Sequence, residues 1–210
     1  MSEFEKEDGV GRADLLQRLE LMECMIAEGR KSTMRNGWIF VLWGLVDCVG
    51  MGWENFWPHS RFAGHWAWPI CLSVGAVVTV VGKMLQKRQP GASKNAQCRS
   101  VEAVWAMMGV GMALYVGTEI ATHLTWQYSY VAGMMMMLGT AHGTSAMILR
   151  WRAQGLVAAA WWAGGVGILV FNTSRAATNI FLAEMCVGMV LFGLYVMILE
   201  HKRKAGRAHA

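Results

Sequence analysis

The chain has 210 residues, of which 55% are hydrophobic and only 16% charged, and its net charge is +5. That balance excludes an ordinary water-soluble domain, in which charged residues would cover a single apolar core. It also gives no ground for nucleic acid as a partner, because the cations form short clusters such as Lys87-Arg88 and Lys202-Arg203-Lys204 with no nucleic-acid-binding motif beside them.

Residues 1–12 are charged and have no apolar period, which predicts a disordered cytoplasmic tail without a cleavable signal peptide. Residues 13–36 read as a cytoplasmic amphipathic and juxtamembrane helix. Leu15, Leu16, Leu19, Met22, Met25 and Ile26 recur at helical spacing, with Arg18, Glu20, Glu23 and Glu28 opposite them. Eight acids against six bases before the first apolar stretch disfavour contact with anionic lipid. This helix is expected to lie on the chain's own cytoplasmic face. A protein partner for residues 13–30, or a second copy of the chain, is the alternative.

Six apolar stretches follow, each about long enough to cross a hydrocarbon layer of about 30 Å. They run near Gly37–Trp53, Trp66–Leu85, Glu102–His123, Tyr130–Leu149, Gly155–Thr173 and Thr178–Leu199. Pro58 stops the helix after the first stretch, and residues 86–100 form the longest polar linker. The expected fold is all-α: a six-span transmembrane bundle over 37–199, built from three antiparallel hairpins. A basic cytoplasmic tail, 200–210, closes the chain. Of the 19 cations, only Arg61 and Arg175 fall on the opposite side of this topology from the rest. The positive-inside rule then puts both termini in the cytoplasm, with the chain in a bacterial-type inner membrane.

A short run recurs, Trp105-Ala-Met-Met-Gly109-Val-Gly111 and Trp161-Trp-Ala-Gly-Gly165-Val-Gly167, and suggests duplicated hairpins. Gly139-Thr-Ala-His-Gly143 is a small-xxx-small motif for close helix packing within the bundle, with dimerisation as the other use. Met134 to Met137 cannot converge on one soft metal ion, because consecutive helical residues point to different faces. The five cysteines include no CxxC pair, so neither a disulfide framework nor a zinc knuckle is expected.

Ionisable residues inside the stretches are the candidates for function, since each costs at least about 2.5–3.5 kcal/mol at mid-span. Asp47 and His142 lie at depths that allow them to meet, as an intramembrane pair or on a proton pathway. Glu119 and His123 share a helical face toward the outer side, and Glu184 approaches from the last stretch. Together with Glu54, His59 and His65 they form a weak metal-site candidate, against which stands a closed hydrogen-bonded cap. No catalytic signature, neither Gly-x-Ser-x-Gly, a phosphate-binding lysine loop nor HExxH, occurs, and no cofactor is specified. Three function classes follow in order: a non-enzymatic sensory or partner-binding membrane module, a small proton-coupled solute or ion transporter, and a metal-dependent membrane enzyme with its site near the outer face.

Overall fold

The computed structural model describes residues 3–56, 63–87, 96–122 and 128–208, with side chains over 15–53, 66–86, 96–118 and 128–206. Among them every element is helical: α1 (Glu3–Arg35), α2 (Gly37–Phe56), α3 (Ala63–Lys87), α4 (Ala96–Thr122), α5 (Ser129–Leu149) and α6 (Arg152–Phe171). Then α7 (Ser174–Glu184), a π-helical segment (Met185–Leu191) and α8 (Phe192–Ala208) run on as one C-terminal helix.

Two helix ends depart from expectation. α1 begins at Glu3, so the charged residues expected to be disordered continue the helix. Their lack of an apolar period removes a reason to pack, but Glu and Lys are good helix formers and no proline interrupts them. The C-terminal helix begins at Ser174, capped by the Thr173 hydroxyl accepting from the Ala176 N–H, and continues into the basic tail. There a Lys204–Glu200 ion pair at 2.9 Å supports the last turns.

Four helical stretches among the described residues are long and apolar enough to cross a membrane: Trp66–Gln86, Ala96–Thr118, Arg152–Phe171 and Ser174–Gly206. Gly37–Trp53 is a shorter apolar helix. α5 is different. Its ten buried residues include His142 and Ser145, and α4, α6 and α7 pack around it. A helix covered by protein can carry polar side chains that a lipid-facing helix cannot.

Tryptophans seated on glycines hold the helices together. Between α2 and α3 the rings of Trp38, Trp43 and Trp68 cover Gly82, Gly75 and Gly50, an antiparallel register. The Trp43 indole also donates to the Thr79 hydroxyl at 3.2 Å. Between α5 and α6, Trp162 covers Gly139 and Gly143, and in the core Trp161 presses on Gly188 of the π-helical segment. Trp38 and Trp43 thus serve as helix-packing residues. A flat ring on a glycine surface buries a large area at low side-chain entropy, which compensates for the missing hydrophobic drive between helices in lipid.

The α5–α6 turn is only Arg150 and Trp151, with Arg150 in the left-handed region at φ 48°. α1 closes over this end of the bundle. The Arg30 guanidinium donates to the carbonyls of Leu149 at 2.7 Å and Arg150 at 2.5 Å, groups the α5 terminus leaves unpaired. Gly29 makes room for Leu149, and the Cys98 thiol at the start of α4 donates to the Glu28 carbonyl at 3.7 Å.

Candidate interior polar site

His142 is completely buried on α5, and neither ring nitrogen has a hydrogen-bond partner among the described residues. Three aromatic rings enclose it. Phe40 of α2 stacks on the imidazole at 5.5 Å, while Trp105 of α4 and Phe192 of α8 meet it edge-on at 4.9 and 5.5 Å. Four helices therefore converge on this one imidazole.

Asp47 and His142 are not paired. Asp47 lies on the α2 strip Phe40, Gly44, Asp47 and Met51, whose other three members are buried, so it faces the interior. His142, however, packs at the level of Phe40, two helical turns or about 10 Å closer to the α1 end than Asp47. Depth along each helix is readable from a sequence, but the stagger between two helices is not.

Two neighbours of His142 escaped the sequence-based selection. Ser145, one turn further along α5, and Gln154, in the first turn of α6, are fully buried, and their side-chain polar atoms have no partner among the described residues. Both lie near the ends of apolar stretches, where polar residues are expected to reach water. The usable signal was the strip Leu138, His142, Ser145 and Leu149, which repeats every three or four residues along one face of α5.

Glu184 sits well inside the C-terminal helix rather than at its start. It lies ten residues after the start of α7, and its Cγ and Oε1 come within 3.1 and 3.2 Å of where a β-carbon on Gly164 of α6 would stand. Its Oε2 is buried without a partner. Nearby, the Trp161 indole N–H is likewise buried and unpartnered, pressed against Gly188. The helix changes to π-helical form at Met185, directly after Glu184, an irregularity often found at functional sites.

His123, His59 and the side chains of Glu119, Glu54 and His65 lie outside the described residues. Among the described residues no three His, Cys, Asp or Glu are grouped so as to hold a metal ion. Cys48 on α2 and Cys186 on the π-helical segment stand 4.0 Å apart, both as free thiols. No protein family, curated protein or solved structure matches the chain.

Proposed function

We propose that the chain is a six-span module of a bacterial-type inner membrane, with both termini cytoplasmic, that presents its N-terminal helix to a protein partner. The spans are α2 to α6 and the C-terminal helix, paired as three successive hairpins. The positive-inside distribution of Lys and Arg supports this orientation. Reporter fusions after Lys87, Trp151 and Lys204 should register as cytoplasmic, and those after Ser60, Tyr128 and Arg175 as external. An external signal at Lys204 overturns the topology.

The construction of α1 carries the partner-binding reading. Its last turns are fixed to the bundle through Arg30, Gly29 and Glu28, whereas Leu15, Leu16, Leu19 and Met22 before them are 48–63% exposed. An exposed apolar row on a helix held rigidly at its other end suits helix-in-groove recognition. The acidic surplus around it argues against a bilayer surface as its resting place. The test places a photoreactive side chain at Leu16 and Leu19 in living cells, with the lipid-facing Leu114 as control. A discrete protein adduct from Leu16 and Leu19 supports the reading. Lipid adducts alone from all three positions overturn it.

A further inference from the structure

Buried polar groups without partners are rare, because each costs about 1–3 kcal/mol. Here five side chains that carry such groups follow one another through one bundle interior: Gln154, Ser145, His142, Trp161 and Glu184. The packing of α5 on α6 sets their levels. Gly143 lies beside Ala158, and Gly139 beside the Ala158 carbonyl and Trp162, so His142 is at the level of Ala158. Gln154 is one turn of α6 toward the α1 end, and Trp161 is three residues the other way. Gly164, against which Glu184 lies, is three residues further again. By these levels Ser145 and Gln154 lie within about one residue of each other, and His142, Trp161 and Glu184 follow at axial steps of about 4.5 Å. Such a step is too long for a direct hydrogen bond and suits one bridging water.

We propose that this column is the α1-side half of a hydrated proton path through the bundle, leading past Gln154, Ser145 and His142 to the Glu184 carboxylate at mid-bundle. The proposal goes beyond partner binding by α1 and does not rest on it.

Each member has the chemistry its place requires. The Gln154 amide and Ser145 hydroxyl both donate and accept, so they can order water at either polarity of the chain. The imidazole of His142 takes a proton at one nitrogen and releases one from the other. While it carries both protons, the rings of Phe40, Trp105 and Phe192 surround a cation with aromatic faces and edges, and the stacked Phe40 face favours the charge. The Trp161 indole only donates, so it orients a water without relaying a proton. Glu184 is the acceptor: a proton leaves the imidazolium through water and arrives on the carboxylate, and its release toward the far side of the bundle restores the carboxylate for the next proton. No electron moves. Asp47 is the other carboxyl facing the same interior from α2, beyond the His142 level.

The test uses the full chain in phosphatidylcholine liposomes with an entrapped pH-sensitive dye and a potassium gradient set by valinomycin. Wild-type protein should admit protons about tenfold faster than protein-free vesicles, and Glu184→Gln should bring the flux down to the protein-free level. Ser145→Ala and Gln154→Leu should each reduce it severalfold, and Leu156→Ala, on the lipid face, should leave it unchanged. Glu184→Asp keeps a carboxyl, so it should retain flux. This distinguishes loss of the acceptor from loss of the fold, which gel filtration of every variant also reports. Wild-type flux equal to that of empty vesicles overturns the proposal. So does full flux in well-folded Glu184→Gln, or background flux in well-folded Glu184→Asp.

Discussion

α4 and α6 carry the same run of residue types, a tryptophan followed four positions later by Gly-Val-Gly, and the bundle treats the two runs in opposite ways. In α6, Trp161 is sealed against Gly188, and a β-carbon on Gly165 would stand 3.1 Å from the Met136 methyl and 3.3 Å from the Ala132 carbonyl. In α4, Trp105 is half-buried, and β-carbons on Gly109 and Gly111 would meet nothing within 4 Å among the described residues. A glycine shapes a helix surface, but a neighbour must arrive before that shape stabilises anything. α6 has neighbours on several sides, whereas α4 turns much of its length outward.

The contrast can be broken most forcefully at the tryptophans. Trp161→Ala should destabilise the bundle by about 4 kcal/mol, the usual cost of emptying a sealed aromatic site, and Trp105→Ala by less than half of that. Reversible unfolding in mixed detergent, followed by circular dichroism, measures both. Equal losses would end the comparison. Next comes Gly188→Ala, whose new methyl would stand 2.6 Å from the Trp161 indole nitrogen, inside a ring that has nowhere to go. A loss of about 3 kcal/mol is expected, together with a changed tryptophan emission spectrum.

Gly165→Ala sharpens the comparison rather than testing its extremes. Met136 is long and flexible and can yield, so the same unfolding titration should show a loss of about 1 kcal/mol. Smallest of all is Gly109→Ala. With open space around it, the substitution should leave stability unchanged or raise it by about 0.5–1 kcal/mol through helix propensity. A loss at Gly109 larger than that at Gly165 would mean that α4 has a covering surface of its own.

Helix positions were legible because length and apolarity are local properties. The described helices fall within a few residues of the apolar stretches, and the polar linkers and short turns lie between them. α1 was harder at its start, since charge without apolar period says that a segment does not pack, not that it is uncoiled. The interior site was legible only in part. Asp47 and His142 stand out as ionisable residues in apolar surroundings, and both face inward. What joins residues across a bundle is helix rotation and stagger, and these come from contacts such as Phe40 on His142 and Gly44 on Met189 and Val190. Ser145 and Gln154 carry no charge to attract notice. The π-helical segment arises where α7 passes α6 and α2, and nothing in Met185-Cys-Val-Gly-Met-Val-Leu191 announces it.

The junction between α1 and α2 has a mechanical consequence. A single turn residue, Asn36, separates the two helices, and hydrogen bonds flank it: its N–H donates to Thr33, and its carbonyl accepts from Ile39, each at 3.0 Å. Immediately beyond, Gly37 of α2 crosses Gly193 of α8, where a β-carbon on Gly193 would stand 2.8 Å from the Gly37 carbonyl. That crossing is a pivot, and α1, with 33 residues, is a stiff arm of about 50 Å mounted beside it. A tilt of about 5° transmitted through Asn36 would move the leucine row, about 20–30 Å away along the helix, through about 2–3 Å. A rearrangement around the pivot too slight to disturb lipid would thus become a displacement large enough to engage or release whatever grips the leucine row.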